Sequence, residues 1–165
     1  KSSVGMPLES AYPYDGKDGT CRTYDAAVTC SGYTKLESNS ASAMEIAVAT
    51  RGSVAVVVAA AWDNYGGGIF EDGCLSWLGS CTLDHVVVIV GYTQDAWLVR
   101  NSWGENWGES GYIRLTRKND NVTYADTKPS EGDACLPYPK QQKVKGECGV
   151  LFDGSYPEGV KLARY

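Results

Sequence analysis

The chain has 165 residues, a net charge of −5 and a pI of about 4.9. A chain of this length can bury one ordinary core, so a single domain over 1–165 is expected. The acidic balance argues against a nucleic-acid surface. No apolar run approaches the roughly 18 residues of a membrane span, and no signal-peptide pattern follows Lys1.

Cysteine and histidine usage narrows the compartment and the chemistry. Six cysteines in so short a chain favour an oxidising compartment, which predicts a secreted, lysosomal or vacuolar protein. Their spacing contains no Cys-x-x-Cys and the chain has one histidine, so neither a metal nor another cofactor is predicted. A sequon at Asn121 is consistent with glycosylation.

The N-terminal third predicts three elements in turn. Residues 1–20 are rich in Gly, Pro, Ser and Tyr and predict an irregular surface segment. Residues 28–36 predict a strand with Tyr33 and Leu36 pointing inward. Residues 40–49 predict a short helix capped by Ser40. One face of that helix collects three apolar residues, Ala43, Ile46 and Ala47.

The middle and C-terminal parts predict mainly strands. The apolar run 54–61 predicts a central buried strand, and the glycine triplet 66–68 a turn into a short strand. The runs 86–90 and 97–99 predict neighbouring antiparallel strands, and 111–115 a further strand. Residues 116–147 are polar and predict a long loop held down by Cys135.

His85 and Asn101 are the candidate catalytic pair. His85 directly precedes the run 86–90 and Asn101 closely follows the run 97–99, so both are expected at adjacent strand ends. An amide oxygen beside an imidazole can accept one ring N–H and fix its tautomer, which suits a general acid–base. A lone histidine near a strand is more often structural, so the wider pattern must decide.

That wider pattern resembles the papain family of cysteine peptidases, and in particular its cathepsin L-like members. The order and spacing of several short motifs agree with the family. They are Asp84-His85 before an apolar strand, Gly91-Tyr92, Trp97-Leu98-Val99, Asn101-Ser102-Trp103-Gly104, Trp107-Gly108, Gly111-Tyr112 and Cys148-Gly149. The long stretch 116–147 is similar to protist members rather than plant ones.

The resemblance implies the α+β papain-like fold, with this chain as its second, right-hand lobe. That lobe would be mostly β, a twisted antiparallel sheet closing toward a barrel, with one or two short helices. It also implies a cysteine endopeptidase in which His85 is the general acid–base and Asn101 orients it. The family's Cys-Gly-Ser/Ala-Cys-Trp/Tyr string does not occur here. A partner N-terminal lobe carrying the catalytic cysteine is therefore expected, with peptides or proteins as substrates.

Two alternatives stay open. The chain could be a non-catalytic papain-like lobe retained for binding or structure. It could also be an unrelated all-β secreted domain, which the density of motifs disfavours.

Three substrate-cleft residues near the pair are implied by the resemblance. Trp103 would cover the His85–Asn101 hydrogen bond, and Trp107 would flank the leaving-group side of the cleft. Asp84 would shape the cleft without acting as an acid. Plain core packing is the ordinary alternative for both tryptophans.

The resemblance also implies a side-chain pocket. Val57 and Leu83 would be its walls and Asp153 its floor, where a carboxylate would favour a substrate arginine. Ordinary core packing of the walls and a turn at Asp153 are the alternatives. Val86 departs from the family's small residue and would narrow the pocket beside His85.

Disulfide pairing is likewise implied only by the resemblance. Two bridges are expected in the C-terminal half, Cys74–Cys148 and Cys81–Cys135. Cys21 bonds to the other lobe in relatives, although Cys30 lies close enough in sequence to pair with it instead.

Overall fold

The computed structural model describes residues 5–71, 73–74 and 81–163, which fall into two compact units. The smaller unit joins the chain up to Thr34 with the chain from Pro157, and the larger is Lys35–Tyr156. No helix in these ranges is long and apolar enough to cross a membrane.

One α-helix and eleven strands are assigned in the described ranges. The helix is α1 (Ala41–Arg51). The strands are β1 (Val28–Thr29), β2 (Gly32–Lys35), β3 (Val54–Val58), β4 (Ile69–Phe70), β5 (His85–Tyr92), β6 (Ala96–Arg100), β7 (Tyr112–Thr116), β8 (Thr123–Asp126), β9 (Gln142–Lys145), β10 (Gly154–Glu158) and β11 (Lys161–Leu162). Short 3-10 helices cover Pro129–Glu131 and Glu147–Gly149.

A seven-stranded sheet runs in the order β2-β10-β3-β5-β6-β7-β4. Neighbours from β10 to β7 are antiparallel, whereas β4 lies parallel to β7. The expected mostly-β fold with a short helix is confirmed. The sheet is mixed, however, and the described strands leave β2 and β4 as open edges instead of closing into a barrel.

The main core lies against one face of this sheet. Val54, Val56 and Val58 alternate inward along β3 and are at most 1% exposed. Met44 and Ala47 of α1 pack into the same cluster. The cap prediction is confirmed, since Ser40 Oγ accepts the Ala43 N–H at 3.3 Å. The predicted helical face was wrong at Ile46, which is 64% exposed, because Met44 and Ala47 define the buried i, i+3 stripe.

The strand predicted over 28–36 is two strands. Within the smaller unit β1 pairs antiparallel with β11, and the Ser31 N–H between β1 and β2 donates to Glu158 O at 2.9 Å. Tyr33 is 75% exposed, so its predicted inward orientation was wrong, whereas Leu36 packs against the main core.

The polar stretch 116–147 is not the long loop that its composition predicted. It contains the antiparallel pair β8–β9, with Tyr124 opposite Val144. Both side chains are buried in a second cluster, so one apolar position per strand is enough to anchor the pair. Cys135 is free and exposed and does not staple the segment.

The structure pairs Cys74 with Cys81, at an S–S distance of 1.99 Å and a Cα–Cα distance of 4.9 Å. The expected Cys74–Cys148 and Cys81–Cys135 bridges are therefore not formed. Cys148 is fully buried and its Sγ accepts the Trp62 indole N–H at 3.3 Å. Three further cysteines are also free, Cys21, Cys30 and Cys135.

Candidate active site

Sheet pairing brings His85 and Asn101 together. His85 opens β5, and Asn101 directly follows β6, whose last residue Arg100 lies opposite Val88. The His85 Nε2 atom lies 2.9 Å from Asn101 Oδ1. The structure thus places the two residues within hydrogen-bond distance, as their positions at strand ends predicted.

A second hydrogen bond decides which ring nitrogen carries a proton. The backbone N–H of Ser102 donates to the same Asn101 Oδ1 at 2.7 Å, which identifies that atom as the amide's acceptor. His85 Nε2 must then be the donor. The other ring nitrogen, Nδ1, is left for exchange of a proton with a reacting group.

Trp103 lies beside the His85 ring, and Trp107 lies beside Trp103. The Trp103 ring lies 5.2 Å from the His85 ring at an interplanar angle of 33°, and Trp107 meets Trp103 edge-on at 5.1 Å. Asn101 is only 8% exposed. A hydrogen bond shielded from water is stronger than an exposed one, so the burial of Asn101 helps to fix the imidazole.

Trp62 is the residue that sequence reasoning missed. It is fully buried, and its ring meets those of His85, Trp103 and Trp107 at 6.2, 6.3 and 6.2 Å. Its indole N–H is satisfied by Cys148 Sγ. The available signal was a large aromatic residue immediately after the apolar run 54–61, but nothing in that run says which rings it meets.

An ion pair supports the loop that carries Trp107. Glu109 accepts from Arg114 Nε at 2.8 Å and Nη2 at 2.5 Å, and from the Gly68 N–H at 2.9 Å. The hydrogen bonds from Arg114, followed by that from Gly68, lower the pKa of the Glu109 carboxyl to about 2. Tyr65 packs on Trp107 at 5.6 Å, and burial raises the pKa of its phenol.

Asp84 has a structural task at the entrance to β5. Its backbone N–H donates to Val58 O at 3.1 Å, and its Oδ1 accepts the Ala60 N–H at 3.2 Å. The carboxylate therefore holds the residues that follow β3 beside the start of β5. Asp84 is exposed, and its predicted cleft-shaping role stays a prediction.

The residues predicted to line the pocket differ in burial, and only some of them could reach a ligand. Val57 is half-buried and donates its N–H to Asp153 O at 3.2 Å, so this wall and the predicted floor are adjacent. Asp153 Oδ2 lies 3.0 Å from Lys35 Nζ, with its side chain 25% exposed. Leu83 is fully buried in the second cluster and offers no surface to a ligand. Val86 is 62% exposed.

A histidine hydrogen-bonded to an asparagine amide is an arrangement that also occurs in the Cys-His-Asn sites of thiol proteases. Residues 1–132 match the family described as papain family cysteine protease. The chain belongs to that family.

Relatives and solved structures agree with this assignment. The chain is 43% identical over 124 residues to a cathepsin L-like proteinase of Phaedon cochleariae, which covers 70% of this chain and 37% of the relative. It is 38% identical over 130 residues to digestive cysteine proteinase 2 of Homarus americanus, covering 73% and 39%. The chain thus spans about two fifths of the length of these curated relatives.

Among solved structures, a Carica candamarcensis cysteine protease in complex with E-64 superposes with a TM-score of 0.69 at 32% identity, covering 94% of this chain and 63% of that one. A digestive procathepsin L of Tenebrio molitor gives 0.69 at 34% identity, covering 94% and 44%.

Proposed function

We propose that this chain supplies the histidine and asparagine of a cysteine endopeptidase that works in a secreted, lysosomal or vacuolar setting. A second lobe outside these 165 residues contributes the nucleophilic cysteine. The observation that carries the proposal is the 2.9 Å contact between His85 Nε2 and Asn101 Oδ1. It leaves His85 Nδ1 available to a thiol on the facing lobe.

The proposed reaction follows from that geometry. The partner thiol passes its proton to His85 Nδ1, and the thiolate attacks the scissile carbonyl. The imidazolium then protonates the leaving amine, which breaks the C–N bond and leaves an acyl-enzyme. Water attacks the acyl carbon as His85 removes its proton, and the proton returns to the departing sulfur.

Cys148 is a poor candidate for that nucleophile. Its side chain is fully buried. Burial and then the charge of Glu147 hold the pKa of the Cys148 thiol well above its usual range, which disfavours the thiolate. An external cysteine is the better supplier. Asn121 is exposed two residues before β8 and is accessible for the glycosylation proposed with a secretory route.

The test uses native material under non-denaturing isolation. Intact mass and peptide mapping are expected to find a second segment bearing the Cys-Gly-Ser/Ala-Cys-Trp/Tyr string, either in the same polypeptide or bound to it. E-64 should label that cysteine and abolish peptide cleavage. Native material without that segment, and unreactive to E-64, would instead support the non-catalytic alternative.

A further inference from the structure

The β8–β9 segment, residues 117–147, lies against the residues that lead into His85. The Cys81 N–H donates to Ala125 O of β8 at 3.0 Å. Leu83 is fully buried in the cluster that contains Tyr124 of β8 and Val144 of β9. Two of the four residues preceding His85 are therefore held by this segment.

Gly132 of this segment lies very close to the same residues. A Cβ built on this glycine would lie 1.7 Å from the carbonyl oxygen of Leu83 and 2.8 Å from its carbonyl carbon. Both neighbouring atoms belong to backbone and cannot rotate away as a flexible side chain would. Any larger residue at 132 must displace either the β8–β9 segment or the Leu83–Asp84 peptide.

The opposite side of the same peptide is fixed by β3. Asp84 donates its N–H to Val58 O and accepts the Ala60 N–H on Oδ1, at 3.1 and 3.2 Å. The Leu83–Asp84 peptide is thus confined between the end of β3 and Gly132. His85 is the next residue along the chain, so its backbone position is set by both contacts.

Hydrogen bonds within the β8–β9 segment, which form its frame, hold Gly132 in place. Gln142 Nε2 donates to Asp126 Oδ2 at 3.0 Å and to Asp133 Oδ1 at 2.6 Å, bridging β8 and the residue after Gly132. Asp126 is fully buried and also accepts the Lys128 N–H at 2.9 Å. Burial raises the pKa of the Asp133 carboxyl, although the Gln142 hydrogen bond opposes that effect.

We propose that the β8–β9 segment is a positioning element of the active site, with Gly132 as its contact residue. Through the Leu83–Asp84 peptide it sets where the His85 ring stands relative to Asn101 and to the incoming thiol. This rests on the proposed function. Displacement of a catalytic group by about 1 Å can cost on the order of 100-fold in rate, so a rigid contact one residue away is consequential.

The test is Gly132→Ala in the complete two-lobe enzyme, with Gly32→Ala as control. Gly32 has no heavy atom within 4 Å of an added Cβ and no positive φ, so its substitution adds the same methyl group without a collision. Active sites are titrated with E-64, and kcat is expressed per titrated site. Gly132→Ala is expected to lower kcat about 10- to 100-fold with KM changed less than about threefold. Gly32→Ala should change neither.

A role confined to folding would give a different result. It would reduce the number of titratable sites while leaving kcat per site unchanged, and that outcome would overturn the proposal. If Gly132→Ala does not fold, Gln142→Ala replaces it, because it loosens the frame without adding bulk. It should lower kcat per site by several-fold at unchanged KM, and an unchanged kcat would again reject the proposal.

A readout independent of turnover separates this inference from the proposed function. The His85 imidazole resonance, assigned by its loss in His85→Gln, should shift in Gly132→Ala and not in Gly32→Ala. If the His85 resonance shifts in Gly132→Ala but E-64 does not titrate the protein, the positioning contact is supported and the proposed peptidase function is rejected. If E-64 titrates the enzyme but the His85 resonance does not shift, the positioning contact is rejected and the proposed peptidase function is unaffected.

Discussion

At the scale of single residues, the His85–Asn101 pair makes an asymmetric prediction. His85→Ala removes the group proposed to transfer protons, so kcat/KM in the assembled enzyme should fall by at least about 100-fold. Asn101→Ala leaves the imidazole present but unoriented, and the loss should be smaller, about 10-fold. Steady-state assays with a fluorogenic peptide measure both.

The double variant is the control for that pair. If Asn101 acts through His85, removing both should cost no more than removing His85 alone. Additive losses would mean that Asn101 has a separate role. Full activity of His85→Ala would remove the histidine from the mechanism.

Asp153 and its ion pair with Lys35 support a prediction about the preference for Arg or Phe in the substrate. Lys35 Nζ lies 3.0 Å from Asp153 Oδ2 and partly neutralises the carboxylate that would meet a substrate arginine. Asp153→Ala should lower the Arg-over-Phe preference, and Lys35→Met should raise it, each by a few-fold because the groups are partly exposed. The assay compares two dipeptide substrates that differ only in carrying Arg or Phe as the side chain that would enter the predicted pocket. The same ratio in all three enzymes would leave Asp153 as a residue of the loop before β10.

At the scale of elements, Glu109 links the loop bearing Trp107 to β7 and to Gly68. Its pKa is lowered from the usual 4.5 to about 2, so the folded state disfavours protonation. The stabilisation is therefore complete above the unfolded pKa and is lost as pH falls from about 4.5 through about 2. Glu109→Gln should lower the free energy of unfolding by up to about 1 kcal/mol near neutral pH.

Measuring both proteins over a range of pH provides the control for this prediction. The stability difference between wild type and Glu109→Gln should shrink as pH falls below about 4.5 and vanish only below about pH 2. Denaturant unfolding of both proteins in parallel measures it at each pH. A difference that is constant with pH would mean that Glu109 contributes by packing alone.

The β8–β9 segment shows what a composition-based prediction misses at this scale. Polar residues and prolines predicted a loop, yet Tyr124 and Val144 face each other across an antiparallel pair and are buried. One apolar contact per strand gives almost no periodic signal in sequence. Only the partner surface, which includes Leu83 and Ala59, makes those two positions interior.

At the scale of the whole molecule, disulfide mapping tests the chain's covalent organisation. Non-reducing peptide mapping is expected to recover Cys74 linked to Cys81 and Cys148 as a free thiol, protected from alkylation until denaturation because it is fully buried. Recovery of Cys74 linked to Cys148 would contradict the structure.

The same map reports on the proposed second lobe. Cys21 is exposed and free within this chain, so it is available to a cysteine elsewhere. A Cys21 peptide linked to a sequence outside these 165 residues would join the lobes covalently. A Cys21–Cys30 bridge would remove that support.

The sequence by itself determined the family and the candidate pair, because motifs at fixed spacing survive without any knowledge of packing. It also determined the strands at β3, β5, β6 and β7 and the Ser40 cap, since their signals are local. The tertiary structure alone decided the contacts that join distant segments. Trp62 meets His85 from 23 positions away in the chain, and Gly132 meets Leu83 across 49. Local secondary-structure propensity does not predict such contacts, because they form only when separate segments bury surface against each other.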